Sequence, residues 1–292
     1  MTEVKYCYRH PDRETGLSCS ECGRPICVDC MSVAPVGIRC PEHAGRPTSA
    51  PARMTRTVRR ASYAASGSIV TRVLVGLNVA IYLAELAGGA RVNANSGWIF
   101  DHGALVVSAL YSDGSPAGLH HGEWWRLISA AFLHYGPIHL GMNMLALWWL
   151  GAPVEMALGR SRFLLLYLVS GLAGSAGALI GSPHGITVGA SGAIFGMLGA
   201  GLILEYEATG RLGGNYLTLI IINLAFTFAV PNISVGGHLG GLAGGIVGTL
   251  VITQVARRRL SLRDSTALSV AGLVAIGIVS IAIAYWRVRG MA

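Results

Sequence analysis

The chain has 292 residues, of which 52% are hydrophobic and only 12% charged, and its mean hydropathy is +0.54. Soluble domains carry about 25% charged residues, so the composition argues against an ordinary soluble protein and for a multi-span membrane protein. The formal net charge of +8 needs no nucleic acid partner, because basic cytoplasmic loops of a membrane protein give the same balance.

The first stretch, "MTEVKYCYRHPDRETGLSCSECG", is polar and lacks the apolar core of a secretory signal peptide. The N-terminus is therefore expected to stay in the cytoplasm. All six cysteines lie from Cys7 to Cys40, in four ligand pairs that each have a two-residue gap: Cys7/His10, Cys19/Cys22, Cys27/Cys30 and Cys40/His43. Eight ligands suit two tetrahedral zinc ions of the structural kind, with every position filled by protein. In a cross-braced order, pairs one and three share one ion and pairs two and four the other. A sequential order uses the same residues. Three disulfides would need an oxidising compartment and would leave both histidines without a role. Iron is the other candidate metal, and the two histidines favour zinc. The module resembles small B-box-type zinc fingers, which are mostly interaction modules. So short a chain buries little core, and the metal is expected to supply most of its folding free energy.

Residues 44–68 are rich in Pro, Ser, Ala and Arg and read as a flexible basic linker. Arg53, Arg56, Arg59 and Arg60 precede the first apolar segment, where such a stretch can rest on anionic headgroups. A DNA-binding arm is the weaker alternative.

Seven apolar segments follow, at about 70–89, 138–157, 163–180, 190–204, 216–230, 237–255 and 267–285. Each is near the ~20 residues a bilayer requires, or somewhat shorter. The linker arginines, Arg160 and Arg162, Arg211, and Arg257, Arg258, Arg259 and Arg263 all fall on one side if the spans alternate. The positive-inside rule makes that side cytoplasmic. Arg287 and Arg289 fall outside, as a mild exception. The stretch 90–137 also lies outside and contains "HGEWWRLISAAFLH", whose Trp124 and Trp125 suit the membrane interface.

With this topology the second, fourth and sixth segments all begin at the outer side, and polar residues sit at those beginnings. His139 and Asn143 open the second segment, in "HLGMN", Ser191 lies in "GASGAIFG", and His238 in "GGHLGGLAGG". Polar groups in a membrane are costly and usually functional, so one shared depth points to one joint site. Segment four is short, which puts Ser191 below the outer surface, where a wet cavity must cover irregular backbone. Gly192, Gly196 and Ala200 recur every four residues, as do Gly237, Gly241 and Gly245. Small faces of this kind let two membrane helices approach closely. If they meet, His238 can take the Ser191 proton as general base. Ser191 at a helix N-terminus has free backbone N–H groups near it. His139 and Asn143, one turn apart, can donate to an oxyanion. No carboxylate is placed to orient His238, so a dyad is expected, with packing or a hydrogen bond setting the imidazole tautomer. Taken singly, the serine can be a packing residue and the histidine a proton relay or metal ligand. His120, His121 and His134 of the outer loop read as solvated or interfacial.

The motifs "GEWWR", "HLGMN", "GASGAIFG" and "GGHLGG", in this order and spacing over about 68–255, strongly resemble the rhomboid intramembrane serine proteases. The resemblance implies a six-helix bundle, a Ser191–His238 dyad, and oxyanion donors from His139, Asn143 and the backbone N–H of Ser191. It also implies a structural role for Trp125 and Arg126 in a half-embedded loop. Many members have a tyrosine where this chain has Phe195, which keeps the aromatic face without the hydroxyl. The seventh segment and the zinc module are additions.

The expected fold is thus an all-α polytopic membrane protein with four parts. Residues 1–45 form the zinc module, 46–68 the linker, 69–256 the protease core, and 257–292 an additional transmembrane helix and tail. The expected activity is endoproteolysis of single-span membrane substrates near the outer face. It needs no catalytic cofactor, and the site lies in a plasma membrane of bacterial type. A cytoplasmic partner for the zinc module is expected, and nucleic acid is not. The competing readings are a catalytically silent relative that binds membrane proteins, and a zinc-regulated membrane sensor.

Overall fold

The computed structural model describes residues 5–33, 38–43, 68–90, 92, 96–258 and 261–290. The linker arginines lie outside the described residues, as does Arg259. The chain divides into two compact units, Met1–Tyr63 and Ala64–Ala292.

In the first unit the ligand pairs are built on tight turns. The amide N–H of His10 donates to the Cys7 carbonyl, that of Cys30 to Cys27, and that of His43 to Cys40. A two-residue gap closes one such turn and leaves both ligand side chains on the same side. Strands β1 (Ser32–Val33) and β2 (Ile38–Arg39) pair antiparallel. The core is Ile26 with five of the cysteines.

The second unit is helical. Helix α1 (Ile69–Ala87) is followed by a connecting stretch holding α2 (Trp98–Gly103), the β3 (Ala109–Leu110)–β4 (Pro116–Ala117) hairpin and α3 (Arg126–Ser129). Six long helices complete it: α4 (Pro137–Leu158), α5 (Arg160–Gly181), α6 (Ser191–Thr209), α7 (Asn215–Ala229), α8 (Val235–Ala256) and α9 (Leu262–Arg289). The seven apolar segments therefore correspond to seven long helices among the described residues. Four of these, α1, α5, α8 and α9, are long and apolar enough to cross a membrane by length and composition alone. Helix α6 runs five residues beyond the apolar segment expected to end at 204. The helix continues through Glu205, Tyr206 and Glu207 until Gly210, in the left-handed region at φ 69°, stops it. Polarity ended the apolar run, but only a residue suited to positive φ ended the helix.

The centre of the bundle is made of bare backbone. A methyl added at Gly241 of α8 would land on the Gly192 carbonyl oxygen of α6, and one at Gly245 on that of Gly196. The same helix packs on α5, where a methyl at Gly240 would meet the Ala173 carbonyl and one at Gly177 the Gly236 carbonyl. Without side chains between them, the helices gain van der Waals contact over their full backbones, which is what joins helices in lipid.

Two carboxylates finish helices that are not their own. Glu155 of α4 is buried and accepts from the amides of Val70 and Thr71 at 2.9 and 2.8 Å and from the Thr71 hydroxyl at 2.8 Å. Glu205 of α6 accepts from the amides of Asn215 and Tyr216 at 3.0 and 3.1 Å. Each places negative charge on the orphan N–H groups that open α1 and α7.

In this connecting stretch, Arg126 is completely buried. Its guanidinium donates to Glu123 at 2.7 Å, to the carbonyls of Ala104 and Asp101 at 2.7 and 2.8 Å, and to the Tyr111 hydroxyl at 3.0 Å. Every arm of the fork has an acceptor, so this one side chain ties α2, the hairpin and α3 together.

Candidate active site and metal clusters

Helices α4, α6 and α8 bring their first turns together. Helix α6 starts at Ser191 itself, because Gly189 just before it adopts φ +123°, a conformation that favours glycine. Helix α8 starts at Val235 behind the Ser234 hydroxyl, which caps the Gly237 amide at 3.1 Å. The glycine seam then sets the two helices at backbone contact. His238 Nε2 comes within 2.8 Å of Ser191 Oγ. His238 is buried, while Ser191 keeps partial exposure, so solvent has a route to the hydroxyl. Phe195, one turn into α6, stacks on the imidazole with ring centroids 4.1 Å apart and planes 17° apart.

His139 and Asn143 lie on α4. The Tyr135 amide donates to His139 Nδ1 at 3.3 Å, so the neutral ring carries its proton on Nε2. A Cβ built on Gly189 would sit 2.9 Å from that Nε2 and 3.8 Å from Ser191 Oγ. Only a bare glycine lets the imidazole lie this close to the backbone that leads into the first turn of α6. The N–H groups of that turn lack acceptors within the helix. Donors of these two kinds suit a tetrahedral oxyanion placed about 3 Å from them. The Asn143 amide spends one N–H on the His139 carbonyl at 2.9 Å and retains a second.

One expectation needs correction. His134 is not solvated: it is 3% exposed and packs edge-on against His139, with ring centroids 5.0 Å apart. Leu133 beside it is drawn into an apolar cluster with Phe100, Ala104 and Val188, and this folds the loop inward. His102 stacks between Trp98 and Tyr111, and His120 lies edge-on to His121.

One residue at the site had not been singled out. Thr227 of α7 is buried, and its Oγ1 lies 2.7 Å from His238 Nδ1. Its sequence signal is a hydroxyl in a mostly apolar segment that also holds Thr218 and Asn223.

In the first unit, Cys7, His10, Cys27 and Cys30 form one cluster, and Cys19, Cys22, Cys40 and His43 the other. This is the cross-braced grouping. Zinc at 2.3 Å from sulfur and 2.0 Å from nitrogen requires tetrahedral edges of about 3.8 Å (S···S) and 3.5 Å (S···N). The Cys22–Cys40 sulfurs are 3.8 Å apart. The sulfur–Nδ1 separations run from 3.2 Å for Cys40–His43 to 3.9 Å for Cys19–His43, with Cys27–His10 and Cys30–His10 at 3.3 Å. The donor sets therefore fit a tetrahedral ion. Burial pushes the Cys7 thiol up, but amides of Cys27, Arg9 and His10 outweigh it and bring it to about 6. Cys30 goes the other way, to about 11, through burial and the neighbouring Cys27 and Cys7 sulfurs. A bound cation removes that mutual penalty.

Comparison with known proteins agrees with the geometry. The Rhomboid domain family matches residues 121–255. Rhomboid protease GluP of Bacillus subtilis (strain 168) is 48% identical over 125 residues, covering 41% of this chain and 24% of its own length. Putative rhomboid protease YdcA of the same organism is 38% identical over 150 residues, covering 49% of this chain and 75% of its own. RHOMBOID-like protein 5 of Arabidopsis thaliana is 37% identical over 132 residues, covering 42% of each. The chain thus spans about a quarter of GluP and three quarters of YdcA. Rhomboids are generally intramembrane serine proteases, although some are inactive. This chain, a multi-pass membrane protein, belongs to the rhomboid family.

Proposed function

We propose that the protein is an intramembrane serine endopeptidase with Ser191 as nucleophile and His238 as general base. The observation that carries this reading is the 2.8 Å approach of His238 Nε2 to Ser191 Oγ. Ser191 Oγ attacks the scissile carbonyl while its proton passes to His238 Nε2. The oxyanion accepts from His139 Nε2–H, the Ser191 amide and the free N–H of Asn143. Collapse breaks the peptide C–N bond, and His238 returns the proton to the leaving amine. Water then attacks the acyl-enzyme, with His238 again as base, and Ser191 is regenerated.

Substrates are proposed to be single-span membrane proteins, cut near the outer face of a bacterial-type plasma membrane, with this protein's N-terminus in the cytoplasm. A polypeptide must unwind locally to offer a carbonyl to Ser191, so small residues and weak helix are favoured at the cut. The two Cys3His clusters are proposed to hold structural zinc, and the surface they shape to meet a cytoplasmic partner.

Labelling by a fluorophosphonate probe in detergent tests the reading. The expected result is labelling of the native chain that is lost in both Ser191→Ala and His238→Ala. A folded native chain that fails to label overturns it in favour of a binding-only relative.

A further inference from the structure

A dyad lacks the carboxylate that fixes the imidazole tautomer in a Ser-His-Asp site, so something else must keep the lone pair on Nε2. Hydrogen-bond accounting around Thr227 supplies it. The Thr227 hydroxyl has one proton and two acceptor lone pairs. Its Oγ1 lies 2.7 Å from the Asn223 carbonyl oxygen, one turn earlier on α7. Two oxygens this close need a proton between them, and a carbonyl has none to offer. The hydroxyl proton therefore goes to Asn223. Oγ1 is also 2.7 Å from His238 Nδ1, and that contact needs a proton too. With the hydroxyl proton spent, it can come only from Nδ1–H. His238 is then the Nδ1–H tautomer, and Nε2 presents its lone pair to the Ser191 hydroxyl. All three contacts are satisfied by one arrangement: Ser191 O–H to Nε2, Nδ1–H to Thr227, and Thr227 O–H to the Asn223 carbonyl.

We propose that Thr227 is the positioning residue of the site, holding His238 in the tautomer and orientation that make Nε2 the base. The proposal rests on the dyad reading above. Packing supports a dedicated role. Of the fifteen residues of α7, only Ile220 and Thr227 are buried, while Ile221, Ile222, Phe226 and Phe228 are all more than half exposed. The one polar group that α7 buries is the one aimed at the imidazole. Phe195 holds the ring's face but cannot choose between its nitrogens. Being uncharged, the hydroxyl stabilises the imidazolium less than a carboxylate would.

The test compares Thr227→Val, which keeps the shape and removes the hydroxyl, with Thr227→Ser, which keeps the hydroxyl. The full chain is assayed on a model single-span substrate. Thr227→Val is expected to lower kcat by about 10- to 100-fold, part of the 10²–10⁴ that a general base contributes, with KM changed by no more than about twofold. Thr227→Ser is expected to recover kcat to within about threefold of the native value. Nitrogen-15 NMR of labelled histidine, assigned by the signal lost in His238→Ala, reads the tautomer without relying on turnover. Nδ1–H in the native chain and a shift toward Nε2–H in Thr227→Val are expected. A native Nε2–H tautomer, or a folded Thr227→Val with native kcat, overturns the proposal. If Thr227→Val does not fold, the native tautomer and the Thr227→Ser rate decide. A native chain that neither labels nor cleaves overturns the dyad reading and, with it, a catalytic purpose for Thr227. An inert Thr227 in an active chain overturns this proposal alone.

Discussion

Helix α8 meets its neighbours in two unlike ways. Against α5 and α6 it presents glycine after glycine, and carbonyl oxygens occupy the places where side chains would be. Against α7 it presents an imidazole that meets a hydroxyl. The first contact leaves no rotamers to adjust, so it fixes the spacing of the two backbones that carry Ser191 and His238. The second is a directional contact between side chains, and it governs which ring nitrogen bears the proton. Spacing and protonation are thus set by separate helices.

The largest effect is expected from breaking the first contact. In Gly241→Ala the new methyl must displace the Gly192 carbonyl. Overpacking of this kind costs about 1–3 kcal/mol in soluble cores, and it has no flexible side chain to push aside here. Fluorophosphonate labelling should fall by more than about 100-fold and thermal unfolding in detergent should come earlier. Near-native labelling would show that the seam yields, and that the dyad distance is set elsewhere.

A smaller effect is expected from loosening the second contact at its far end. Glu205→Gln removes the charge on the opening N–H groups of α7. Gln keeps one acceptor oxygen, and removing the charge costs about 0.3–1 kcal/mol, so hydrogen exchange at the amides of Asn215 and Tyr216 should quicken about two- to fivefold. Labelling should fall less than in Thr227→Val. A drop as deep as that variant's would mean that the whole of α7, not its hydroxyl, sustains the base.

The smallest effect on the dyad is expected from the N-terminal unit, which is compact by itself. If its two clusters hold zinc as proposed, chelation should unfold it, read as loss of protection of its thiols from alkylation, because a metal would then supply most of its folding free energy. Labelling of Ser191 should stay within about twofold, as it should after deletion of residues 1–45. Loss of labelling in an otherwise folded chain would make the metal module part of the catalytic control.

The glycine seam between α6 and α8 was legible because its period of four marks a helix face in any apolar segment. The matching stripe on α5, with Gly174, Gly177 and Gly181, carried the same kind of signal. The ligand pairs were legible because a two-residue gap has few other uses, but their grouping depends on how four turns pack. Ser191, His238, His139 and Asn143 could be picked out as polar residues at equivalent ends of alternate segments. Thr227 could not, because its role depends on the rotation of α7 about its own axis, and sequence periodicity does not specify the neighbour a face will meet. The burial of His134 depends likewise on a loop turning inward.

The borrowed carboxylates impose an order in time as well as in space. The N–H groups opening α7 find Glu205 ten residues behind them, already synthesised when α7 emerges. Those opening α1 wait for Glu155, which arrives 85 residues after Val70. Helix α1 is therefore made before α4 but finished only after it: until Glu155 is in place, the N–H groups that open α1 need other acceptors.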